Sequence, residues 1–115
     1  MNRACLPFVL SLSIGLSACG SARPMAKTGP HYDQDPILVP YPPPPGKVEI
    51  VPEPPPEMAG AVWVDGEWTW KGRRWVWQQG SYQEPLPDGY FAPAQIVREA
   101  DGSLLLYPGT WKKAR

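Results

Sequence analysis

Hydrophobic and polar positions fall into three regimes along this chain. An apolar run covers Leu6 to Leu16, a stretch dominated by proline follows, and from Ala61 onward apolar and polar residues alternate. Alternation with a period of two places successive side chains on opposite faces of a strand. In Trp68-Thr69-Trp70 and Trp75-Val76-Trp77 it sets two indoles on one side of each strand. With Gly72-Arg73 as a two-residue turn of type II′, Trp70 faces Trp75 and Trp68 faces Trp77. Asp65-Gly66 is a strong hairpin signal and sets Trp63 opposite Trp68; Gln79-Gly80, a weaker one, sets Trp77 opposite Tyr82. These registers predict an aromatic row of Trp63, Trp68, Trp77 and Tyr82 across four short strands, beside a second row of Trp70 and Trp75. Glu67, Thr69, Arg74, Val76 and Gln78 then form a wet opposite face. In a competing arrangement Gly66 and Gly80 are bulges within longer strands.

After Tyr82, Pro85, Pro87 and Asp88-Gly89 mark a loop. Gln95–Arg98 and Leu104–Tyr107 flank Asp101-Gly102 as a second hairpin, whose apolar residues are the expected lid for the indole wall. Trp111 closes the domain, and Lys112, Lys113 and Arg115 make a basic end, read as a solvated terminus with contact to phosphate groups as the alternative. The expected fold is mostly β: a small antiparallel meander of short strands plus a C-terminal hairpin, over residues 59–115. So small a domain, without a disulfide or metal to staple it, is expected to be marginal alone, with part of its aromatic wall covered by something else.

The aromatic spacing is regular enough to resemble a known repeat. Trp63, Gly66 and Trp68 form a complete W-x-x-G-x-W; Trp77, Gly80 and Tyr82 repeat it with Tyr last; Leu106, Gly109 and Trp111 repeat it with Leu first. This resembles the WXXGXW (also YXWGXW) repeat family of exported bacterial proteins, often lipoproteins. The resemblance covers residues 61–82 and a degenerate copy near the C-terminus. It implies no activity, substrate or cofactor.

The N-terminus has the layout of a secretory signal: Arg3, the apolar run and small residues after it. The run is shorter than the roughly 20 apolar residues a finished membrane helix needs. It ends in Leu16-Ser17-Ala18-Cys19, which resembles the bacterial lipobox, where the cysteine is lipidated on sulfur and the chain is cut before it. The expected division is a signal peptide over 1–18, then a mature chain anchored through Cys19 by diacylglycerol and a further acyl chain such as palmitate. Two or three chains hold firmly where one binds reversibly. An ordinary secretory signal containing a cysteine is the alternative. By resemblance to Gram-negative lipoproteins, the absence of Asp after Cys19 favours the outer over the inner membrane. Cys5 lies in the discarded peptide, so the mature chain has no second cysteine for a disulfide.

Residues 19–58 are the expected tether. Proline clusters at 42–45 and 54–56, fixing φ and removing backbone donors, so this stretch reads as a disordered polyproline-II spacer reaching on the order of 120 Å if fully extended. The alternative makes it the ligand of a polyproline-binding domain. Val48-Glu49-Ile50-Val51 alternates and is a candidate edge strand. His31, the single histidine, has no metal-ligating neighbours in sequence and reads as a solvated loop residue.

Eleven basic and eleven acidic residues cancel, so nothing points to nucleic acid. No cofactor or metal motif appears. Asp65 and Glu67 are close carboxylates of the domain, and a tight turn is a poor cleft for paired acid–base work, so no enzyme is expected. Three roles remain for the indoles. They are all core, or Trp68, Trp70, Trp75, Trp77 and Tyr82 form a face that contacts envelope protein, or that face stacks cell-wall or polysaccharide sugars beside Asp65 and Glu67.

Overall fold

The computed structural model of the chain describes residues 23–115; the expected signal peptide over 1–18 and Cys19 lie outside the described residues. Among the described residues every regular element is a short antiparallel strand. They are β1 (Ile37–Val39), β2 (Val62–Val64), β3 (Glu67–Lys71), β4 (Arg74–Gln78), β5 (Ser81–Gln83), β6 (Gly89–Ala92), β7 (Gln95–Arg98), β8 (Leu104–Tyr107) and β9 (Thr110–Lys113).

Pairing turns these pieces into two long hairpins. The β3–β4 ladder sets Trp68 opposite Trp77 and Trp70 opposite Trp75, as the alternation predicts. β2 does not pair with β3, however. It pairs with β5, setting Trp63 opposite Tyr82 instead of Trp68. Five positions separate Trp63 from Trp68 and five separate Trp77 from Tyr82, so one register runs through both ladders. Asp65-Gly66 and Gln79-Gly80 are therefore neither turns nor bulges with an extra residue. They face each other as a two-residue gap in one hairpin. The second hairpin repeats the design: β6 pairs β9, β7 pairs β8 in the same register, and Pro93-Ala94 faces Pro108-Gly109 across the gap.

Four matching segments result, one more than the sequence suggests. The extra copy is Phe91-Ala92-Pro93-Ala94-Gln95-Ile96, with Phe, Ala and Ile standing where the motif has Trp, Gly and Trp. Cross-strand rings meet edge to face at nearly one geometry in both hairpins: Trp63–Tyr82 at 5.2 Å, Trp68–Trp77 at 5.3 Å, Trp70–Trp75 at 5.1 Å and Phe91–Trp111 at 5.4 Å. Such pairs add about 0.5–1.5 kcal/mol each beyond buried area.

The motif glycines have a packing reason. A Cβ on Gly66 would lie 2.8 Å from the Gln78 carbonyl and against the Trp77 ring; one on Gly80 would lie 2.8 Å from the Val64 carbonyl and against the Trp63 ring. In the first hairpin the first Trp of each copy thus lies on the glycine of the facing copy. At the hairpin tip, Gly72 and Arg73 both have positive φ (59° and 62°), which makes the turn type I′ instead of II′. That backbone matches strand twist, at a cost of roughly 1–2 kcal/mol for the left-handed Arg73.

The core lies where the hairpins meet. Val39, Leu104 and Leu106 are buried together, with Trp70, Trp75, Ala94 and Ile96 packed on them. The second hairpin does cover part of the indole wall. The rest of the cover is the proline-rich segment, and here the structure departs from a free spacer. Residues 24–29 run between the hairpins: Trp63 donates to the Pro24 carbonyl (2.7 Å) and accepts from Ala26, while Phe91 donates to Lys27 (2.8 Å) and accepts from Gly29. β1 then adds to the edge of β8. Val48–Val51 forms no strand: Val48 and Ile50 point to solvent and Glu49 points inward.

Candidate functional site

The aromatic face is built by alternation on β3 and β4, and what it presents outward is the polar edge of each ring. An indole has one donor and no acceptor, so each buried ring edge needs a carbonyl or carboxylate partner. Trp68 donates to the Pro45 carbonyl at 3.1 Å and Trp75 to the Tyr41 carbonyl at 3.1 Å. Trp77 donates to the Glu49 carboxylate at 3.4 Å. The Tyr82 hydroxyl donates to Pro52, and in the second hairpin Tyr90 donates to Pro30, both at 2.5 Å. Proline-rich chain suits such partners, because it keeps its carbonyls and has lost the N–H groups that a β-ladder would use. Tyr41 also stands edge-on to Trp70 at 5.4 Å, and Lys47 sits over Trp68 at 5.4 Å.

The candidate face is thus brought together, but it is occupied. Trp68, Trp70, Trp75 and Trp77 are half-buried under the arm; Tyr82 lies beyond the gap, paired with Trp63. Trp63 is buried and donates to Asp65 at 2.9 Å, which makes Asp65 a partner of the core. Trp111 is paired with Phe91 and donates to Gln83 at 2.9 Å. The basic end is not free either: Arg115 pairs with Asp33 at 2.7 Å and stacks on Tyr32 at 3.9 Å, with Lys112 over the same ring. His31 is half-buried, its ring nitrogens 2.5 Å from Gln34 Oε1 and from the Pro93 carbonyl.

Two carboxylates that the sequence places elsewhere, Glu49 on an edge strand and Glu67 on a wet face, fill the gaps of the hairpins. Breaking both ladders at the same level frees backbone N–H groups that need acceptors. Glu49 supplies one for the first hairpin, accepting from the Gly80 N–H at 3.0 Å. Glu67 supplies both for the second, accepting from Ala94 at 3.2 Å and Gly109 at 3.1 Å. Glu67 is therefore a bridge between hairpins and not part of a wet face. Only the gap itself could have signalled this, and the gap was hidden behind two apparent turns.

Burial pushes the Glu67 carboxyl above its ordinary value of 4.5, against the Ala94 and Gly109 N–H bonds and His31, which pull it down. A carboxyl with a raised native pKa favours the fold when protonated. That contribution is complete below the ordinary value and is lost as pH rises through the raised one. Wild-type stability is accordingly expected to decline as pH climbs from 4.5 through that window, and Glu67→Gln to flatten the decline. Urea melts at four pH values check this; an equal slope in both proteins would place the titration elsewhere. The Gln variant should also be less stable near neutrality by about 1–2 kcal/mol, since an amide oxygen can serve only one of the two N–H groups well.

Arm and hairpins together enclose a cleft of about 510 Å³ that includes Trp68, Trp75, Trp77, Asp65, Glu49 and Glu67 in its lining. Among the described residues there is no group of three metal-ligating side chains, and no helix long and apolar enough to cross a membrane. The chain matches no family model, no curated protein and no solved structure.

Proposed function

We propose that this chain is an exported lipoprotein, held on the outer membrane through Cys19, whose aromatic β module has a structural or protein-contact role and no catalytic one. The observation that carries the contact role is the direction of the indole N–H groups. Trp68 and Trp75 both donate to main-chain carbonyls of an extended segment, which is how a protein surface holds another stretch of polypeptide. Exposed aromatic surface that is only half covered commonly marks such contacts.

A sugar-binding reading has one specific observation behind it. The cleft combines three indoles with three carboxylates, the mix of stacking faces and acceptors that a saccharide uses. Two experiments separate these roles. Capture from detergent-solubilised envelopes should recover a protein with the wild-type chain and lose it with Trp68 and Trp77 replaced. Tryptophan emission should stay unchanged with peptidoglycan or polysaccharide; a saturable shift there would favour sugar. The anchor is tested by a clickable fatty acid, with label expected on wild type and lost in Cys19→Ala. Label that survives the substitution would remove Cys19 from the account.

A further inference from the structure

Residues 41–52 touch the hairpins in an unusual way for a segment of the same fold. Upstream, residues 24–29 and β1 are held by main-chain ladders. From Tyr41 to Pro52 no main-chain to main-chain bond to the hairpins is present. The segment is gripped only by side chains, at Tyr41, Pro45, Glu49 and Pro52, nearly one anchor every four residues. That is how a separate extended peptide is gripped: carbonyls met by ring donors, one charged side chain seated in a notch. The notch is the gap at Gly80, where Glu49 accepts the main-chain N–H and the Trp77 indole together.

We infer that the β3–β4 indole ladder is a receptor for a polyproline-II strand carrying an acidic residue four positions after an anchoring proline. Residues 41–52 fill it in cis here, and the same segment of a second copy is its occupant in trans. This rests on the protein-contact reading above and names the partner class for that face. The second copy is favoured because its segment already meets the Trp68, Trp75, Trp77 and Tyr82 donors of the face. The connection also permits exchange: Gly60 has a φ of 83° and open space around it where the arm's C-terminal end enters the first hairpin, and the ladders at residues 24–29 and β1 exchange along with it. Swapping an N-terminal arm about such a hinge reproduces every contact between two chains. In cis the arm competes at an effective concentration in the millimolar range, so exchange needs crowded copies, the condition that anchoring to one membrane provides.

The test uses the full chain with Cys5 and Cys19 changed to Ser. A variant with Pro43, Pro44 and Pro45 changed to Gly keeps residues 24–39 but loosens the gripped segment. Its Trp68 and Trp75 indole protons are expected to exchange at least about tenfold faster than in wild type. Free peptide 40–52 at about 1 mM should return their resonances to wild-type positions, while the same peptide with Glu49→Ala and its prolines changed to Ala should not. An unmoved spectrum, or equal response to both peptides, overturns the receptor. The Trp63 and Trp111 indoles report whether the variant is folded. If it is not, the second measurement decides alone. Lys47→Cys carrying a spin label is mixed with unlabelled-spin, nitrogen-15 chain at high concentration. Broadening of Trp68 and Trp77 in the nitrogen-15 chain is expected from exchange, and its absence overturns the second copy as occupant. Peptide binding with no capture from envelopes would leave this inference standing and remove an envelope protein as partner; capture without peptide binding would do the reverse.

Discussion

Trp63→Ala is expected to lower the unfolding free energy by about 3–5 kcal/mol, the loss typical of a buried aromatic truncated in place. Trp63 is 5% exposed, meets Tyr82 edge to face, and lies on Gly80. Its main-chain bonds to Pro24 and Ala26 survive the substitution, so the loss falls on the core and not on the wrap. A domain of this size is stabilised by only some 5–15 kcal/mol, and each kcal/mol moves its midpoint by roughly 4–8 °C. A thermal melt followed by circular dichroism should therefore show the midpoint falling by well over 10 °C. Trp68→Ala, at a half-buried ring, should cost visibly less. A smaller effect at Trp63 than at Trp68 would mean that the core is not where the two hairpins and the arm converge.

Gly80→Ala is expected to cost about 2–3 kcal/mol. The added methyl meets the Val64 carbonyl at 2.8 Å and the Gly66 nitrogen at 3.0 Å, main-chain atoms that cannot move without opening the gap. It would also displace the Trp63 ring. Gly46→Ala is the matched control, since nothing lies within 4 Å of its added carbon. Urea melts of the two variants should differ by at least about 1.5 kcal/mol. Equal stabilities would show that the motif glycine serves something other than close approach of the facing ring.

The inner part of the first hairpin was legible in the sequence because two signals agreed there. Alternation fixed which faces Trp68, Trp70, Trp75 and Trp77 share, and Gly72-Arg73 fixed their register. Outside it they disagreed. Asp65-Gly66 looks like a turn, yet the main chain continues straight, because Trp77 needs a residue without a side chain beneath its ring. A glycine demanded by a neighbour's ring and a glycine demanded by φ look the same in one sequence. Glu67 was misplaced for the same reason, since its partners Ala94 and Gly109 come from the second hairpin. The proline-rich arm was misjudged because proline excludes a ladder and says nothing about side chains donating to its carbonyls. The copy at Phe91 to Ile96 is invisible as a motif and becomes evident only from its register opposite Leu106 to Trp111.

The wrapping arm also alters the geometry of mooring. Cys19 stands five residues before Pro24, and Pro24 is already fixed to Trp63. Five residues pulled straight cover at most about 18 Å. For a chain anchored as proposed, the folded body then rides almost on the headgroups, with its Trp63 end downward. Unseating the arm from Pro24 onward would pay out line and lift the hairpins several times higher, whereas release of residues 41–52 alone leaves the height unchanged, so that altitude above the bilayer reports whether the Pro24 end is docked.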